Sequence, residues 1–178
     1  SSAPIQYFFK RYSTATDLVN VDIGGGTTDI AFAKDKSISY VTSFRFASNA
    51  LFENSFSELD ENNGIVDWHK NEILKLLEEK NLSDLISVFN SASNTHPANM
   101  ASFLFGLKDN TIPQKAGVNV KAIDFNYLLQ EDENFKIVFI IFYTAIIYHT
   151  AHIVKLLGLG MPRHISFSGN GSKVIRVI

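Results

Sequence analysis

The run Val21-Asp22-Ile23-Gly24-Gly25-Gly26-Thr27-Thr28-Asp29-Ile30 holds the residue types best suited to chemistry. Successive glycines between two apolar stretches let the backbone approach a ligand closely and reach positive φ. Consecutive N–H groups in such a turn converge into a nest that suits phosphate oxygens. Thr27 and Thr28 add hydroxyl donors, and Asp22, at the end of the preceding apolar stretch, is placed to orient Mg2+ or its water shell. The same glycines also serve a plain hairpin, so residue type alone leaves both uses open. A second run, Arg163 to Lys173, reads as a strand over His164–Ser168, a turn over Gly169-Asn170-Gly171-Ser172, and the start of a helix. A helix start offers N–H groups to an anion, although Gly-Asn-Gly is common in turns of every kind.

Other residues invite chemistry and do not sustain it. His149 and His152 are three apart, a spacing that chelates metal on a helix, but no third ligand accompanies them. They read as the polar end of a buried helix. Glu78-Glu79 and Glu131 to Glu133 read as solvated helix ends rather than acid–base pairs. Lys10-Arg11, beside Tyr7, Phe8, Phe9 and Tyr12, reads as a packed or linker segment rather than a base-stacking platform. No Gly-x-x-x-x-Gly-Lys-[Ser/Thr] loop and no dinucleotide fingerprint occurs.

The elements that must position these residues follow from periodicity. Strands are predicted over Asp17–Ile23, Thr28–Ala33 and Ser37–Phe46, joined by the glycine turn and by Lys34-Asp35-Lys36 as an antiparallel meander. A helix over Ala47–Leu59 follows, with Ser48 or Asn49 as N-cap and Glu61-Asn62-Asn63-Gly64 as its stop. Further helices are expected over Asp67–Lys80, Ser83–Phe89 and Met100–Leu107, with a helical turn over Asp124–Leu129. Ser91–Pro97 and Lys108–Gly117 read as loops. Glu133–Leu157 is the longest helix, stopped by Gly158 and Gly160 and read as a buried core helix. Its apolar stretch Ile137–Tyr148 is shorter than the roughly 20 residues that span a bilayer.

The string Asp-Ile-Gly-Gly-Gly-Thr-Thr-Asp-Ile resembles the second phosphate motif of the actin/Hsp70/sugar-kinase ATPase superfamily. It is most similar to the bacterial actin-like branch with FtsA-like, PilM-like and Hsp70-like members. Gly169-Asn170-Gly171-Ser172-Lys173 resembles the adenosine motif of that family, and the long apolar helix before it has a family counterpart packed under the sheet. The resemblance covers both ends of the chain. It implies an α/β fold of the ribonuclease H-like kind, with a core over residues 13–60 and 133–178 and a mostly helical inserted lobe over about 61–132. It further implies that Gly24, Gly25, Gly26, Thr27 and Thr28 grip ATP phosphates. Asp22 would act on magnesium and the attacking water, and Gly169, Asn170, Gly171, Ser172 and Lys173 would face the adenosine.

The departures are as informative. The first phosphate hairpin of the family is absent, and of its connecting segment only the helix Ala3–Tyr12 has a candidate. Where relatives carry Gly-Gly before the helix, Phe46-Ala47-Ser48-Asn49 stands instead. The expectation is therefore a piece of a larger protein, the second half of the fold. It would bind ATP weakly by itself, without measurable hydrolysis, and act as a nucleotide-dependent switch when completed by the first half. A structural actin-like module for protein assembly or self-assembly, and a kinase of the same superfamily, are the alternatives.

Composition bounds the partners. The chain has 178 residues, 46% of them hydrophobic, with a net charge of −2, so no broad basic surface calls for nucleic acid. It has no cysteine, which excludes disulfides and thiol chemistry. No signal-peptide pattern is visible, and the cytoplasm without a transmembrane segment is expected.

Overall fold

The computed structural model describes residues 3–52, 65–94 and 97–176. The chain is mixed α/β and divides into two compact units, one built from Ser1–Ser48 with Phe139–Arg176, the other on Asn49–Val138.

In the first unit, β1 (Asp17–Ile23), β2 (Thr28–Lys34), β3 (Ser37–Phe44) and β4 (Ile165–Ser168) form one sheet of order β3-β2-β1-β4. β1, β2 and β3 are the antiparallel meander that alternation predicts, and β4 adds to β1 in parallel. The β2–β3 connection is a two-residue turn in which Asp35 and Lys36 both take positive φ, 50° and 65°. Such turns match the twist of the flanking strands.

The parallel pairing has a polar device. Asn20 is 1% exposed in the middle of β1. Its Nδ2 donates to Ser168 Oγ at 3.1 Å, and Ser166 Oγ donates to its Oδ1 at 2.8 Å. Both serines lie on β4, so one buried amide locks Val19↔Ile165 to Asp22↔Ser168 in register. A one-residue slip would turn these serines to the other face.

Helix α1 (Ala3–Arg11) presents Ile5 and Phe9 to Leu18, Ala31 and Ala33, which share a face of the sheet. Helix α9 (Glu133–Leu156) contributes Phe139–Leu156 to this unit. Its Phe142, Ile146, Thr150 and Val154 recur every four residues and are buried. Tyr143 meets Phe167 edge-on at 6.0 Å, and Phe142 meets Phe46 at 5.0 Å.

The expectation of a buried core helix is corrected here. Only 28% of the most apolar window of α9 is buried, while Ile140, Ile141, Ile147 and Tyr148 are exposed. An all-round apolar helix reads as buried, but this unit covers one side of it. By length and composition α9 is long and apolar enough to cross a membrane, the one such helix among the described residues. His149, at the polar end of this helix, is exposed and rests edge-on against Phe44 at 4.5 Å, and His152, also exposed, stacks on Tyr148.

The second unit is helical. α3 (Ile65–Glu79), α4 (Ser83–Ser93), α5 (Pro97–Leu107) and α8 (Phe125–Glu131) bury Ile73, Leu77, Phe89, Leu104, Phe125 and Leu129. Asp132 Oδ1 accepts from the Phe135 N–H at 3.0 Å and caps the start of α9, while its Oδ2 meets His69 Nε2 at 3.1 Å. Lys108–Gly117, expected as loop, contains α6 (Thr111–Lys115). Asn110 caps it by accepting from Ile112 N at 2.9 Å. Pro113 falls in the first turn, where its missing N–H costs no helical bond. A further short helix, α7 (Val120–Ile123), starts at Asn119 in the same manner. The helix expected over Ala47–Leu59 is seen as α2 (Ser48–Phe52); the rest of it and Glu61-Asn62-Asn63-Gly64 lie outside the described residues.

Candidate functional site

Parallel pairing sends β1 and β4 the same way, so the turns that follow them emerge side by side at the carboxyl edge of the sheet. In open α/β sheets that edge is where ligands bind. The two glycine segments, 145 positions apart (169 − 24), are thus brought together by one strand pair.

The first turn is closed by Gly24 N donating to Thr27 O at 2.9 Å. The Gly24 carbonyl accepts twice from Ser48, at 3.2 Å from its N–H and 2.8 Å from its hydroxyl. Both polar groups at the root of the turn are therefore engaged, and Gly25, Gly26 and Thr27 project outward, exposed. A Cβ at Gly26 would meet nothing within 4 Å, whereas one at Gly24 would stand 3.1 Å from Thr27 O. Thr28 turns inward: it is fully buried, and its hydroxyl donates to Phe46 O at 2.6 Å. Its role in this arrangement is to pin the turn, while Thr27 is the hydroxyl that faces outward.

The second turn packs onto the first. Gly169 has φ +84°, and a Cβ there would stand 2.5 Å from Asp22 Oδ1 and 2.8 Å from the Ile23 carbonyl carbon. Gly171 is buried, and a Cβ there would meet Ile23 Cγ2 at 2.6 Å and Ser48 Cβ at 3.0 Å. Its carbonyl accepts from the Tyr143 hydroxyl at 3.2 Å. Burial pushes the Tyr143 hydroxyl up to about 12, so it remains a donor at neutral pH.

Three expectations change in detail. Positive φ among the described glycines falls on Gly117, Gly158 and Gly169, not within Gly24–Gly26. The segment after Gly169 is a 3-10 helix (Asn170–Arg176), because Ser172 donates back to Gly169 O from its N–H at 3.2 Å and its hydroxyl at 2.7 Å. Ser48, expected as a helix N-cap, gives its hydroxyl proton to Gly24 instead. Asn170 and Lys173 remain exposed at this edge, and Asp22 is half-buried between the turns.

Sequence reasoning missed Tyr143, Asn20, Ser166 and Ser168. The signal for Asn20 was an amide flanked by valines in an apolar strand. Tyr143 carried none, because its partner is a backbone carbonyl. Among the described residues no group of three or more His, Asp or Glu side chains is placed to hold a metal. No protein-family model matches the chain, and no curated protein matches it.

Proposed function

We propose that this chain is the ATP-binding half of an actin/Hsp70-like ATPase with a ribonuclease H-like core. In the intact protein it would serve as a nucleotide-dependent conformational switch. The observation that carries the reading is the junction of the Gly24–Thr27 and Gly169–Ser172 turns at the carboxyl edge of β1 and β4. The exposed backbone of Gly25, Gly26 and Thr27 would cradle the phosphates, and Asn170 and Lys173 would face the nucleoside. Asp22 would hold magnesium through water. One carboxylate suffices for that task, because Mg2+ in such sites takes most of its ligands from water and substrate phosphates. Hydrolysis would need the phosphate hairpin of the first half of the fold, since phosphoryl transfer rests on positioning and charge stabilisation from both sides.

Calorimetry of ATP–Mg2+ binding to the intact protein tests this, with Gly25→Val as the blocked turn. Binding that the substitution abolishes is expected. Absence of binding at millimolar ATP refutes the reading.

The exposed apolar face of α9 favours a second reading, an actin-like module for protein assembly. Ile141→Glu would then lower the association state in sedimentation velocity without touching nucleotide binding.

A further inference from the structure

We propose that Ser48 and Tyr143 are positioning residues that tie the two glycine turns into one mechanical unit, so that occupancy of either turn is felt at the other and at α9. The inference rests on the nucleotide reading only for its ligand. The contacts themselves stand without it.

The connection is continuous. Ser48 binds the Gly24 carbonyl through two donors, which fixes the root of the first turn. The Cβ of Ser48 lies against Gly171, so close that a methyl group on Gly171 would meet it at 3.0 Å. The carbonyl of Gly171 is in turn held by the hydroxyl of Tyr143. The Tyr143 ring is seated between Phe139 at 4.5 Å on α9 and Phe167 at 6.0 Å on β4. A movement of the first turn therefore displaces Ser48, the second turn and the α9 side chain in sequence. Close-packed side chains transmit such a shift from neighbour to neighbour.

The residue types fit this task. Serine is small enough to let Gly171 pass and still supplies a hydroxyl, which glycine at that place would not. Tyrosine reaches a backbone carbonyl from a neighbouring helix while keeping its ring in the core, as buried tyrosines do when their hydroxyl finds a partner.

Hydrogen–deuterium exchange on the intact protein tests the coupling, comparing wild type, Tyr143→Phe, Ser48→Ala and Ser48→Thr with and without ATP–Mg2+. Without nucleotide, Tyr143→Phe should speed exchange about tenfold at residues 169–176 and also at residues 24–28, which it does not touch. Ser48→Ala should do the same at both turns, and Ser48→Thr, which keeps the hydroxyl, should restore slow exchange at residues 24–28. With ATP, each single loss should weaken binding several-fold, and the double variant should lose less than the product of the two. If Tyr143→Phe changes only residues 169–176, the coupling is overturned. The near-isosteric Tyr143→Phe decides the matter alone if Ser48→Ala does not fold. A wild type that fails to bind ATP overturns the nucleotide reading, and the nucleotide-free exchange pattern still decides the coupling.

Discussion

Gly169→Ala is the substitution whose effect the structure fixes most closely. At φ +84° an L-residue enters the left-handed region, which costs roughly 1–2 kcal/mol. The new methyl would also stand 2.5 Å from Asp22 Oδ1 and 2.8 Å from the Ile23 carbonyl carbon. The backbone of β1 cannot readily yield, because it is held by ladders on both sides. Relieving that contact costs about 1–3 kcal/mol more, as overpacking does elsewhere. The sum is about 2–5 kcal/mol, a large part of the roughly 5–15 kcal/mol that holds a domain together. Two controls separate the terms. Gly158 has φ +63° and open space around it, so Gly158→Ala carries the backbone term alone. At Gly171 no positive φ is involved, so Gly171→Ala carries the packing term alone. Urea unfolding followed by circular dichroism reads all three. With a slope near 2 kcal/mol per molar, Gly169→Ala should lower the midpoint by about 1–2.5 M, Gly158→Ala by about 0.5–1 M and Gly171→Ala by about 0.5–1.5 M. A Gly169→Ala midpoint no lower than that of Gly158→Ala would refute the close approach of the second turn to β1, and with it the shared site.

Two further outcomes follow from buried polar groups. Asn20→Val should destabilise by about 1–3 kcal/mol, since it strips Ser166 and Ser168 of their partner inside the sheet. A melting temperature unchanged or raised would show that the amide does not set the β1–β4 register. Tyr143 gives a pH signature: its hydroxyl titrates near 12 when folded against 10.0 ordinarily, so the unfolded chain releases the proton first. The stability it contributes is complete below about pH 10 and is lost as pH rises toward 12. Tyr143→Phe should flatten that part of the stability–pH curve, and an unchanged slope would contradict the burial.

The local structure was legible wherever one short-range preference ruled. Alternating apolar residues with a glycine stop placed β1 and β2, and the turn at Asp35-Lys36 followed from its neighbours. Helical spacing placed α3 and the length of α9. Lys108–Gly117 misled because Pro113 reads as a breaker until Asn110 is known to start the helix, which puts the proline in the first turn. The burial of α9 misled because an apolar run has no direction: composition says that a helix resists water, not which side is covered.

The order of residues lays out the chemistry on offer, namely three glycines, two threonines and Asp22 in one short run, and a second glycine turn far downstream. Whether the two turns meet is a decision of the folded chain. That decision is non-local, resting on Asn20 matching two serines more than a hundred residues away and on glycines leaving room for a neighbouring strand. It also divided the hydroxyls, sending Thr28 to Phe46 and Ser48 to Gly24 while leaving Thr27 outward. Residue type supplies a donor, but which acceptor it finds depends on what the folded chain brings within about 3 Å.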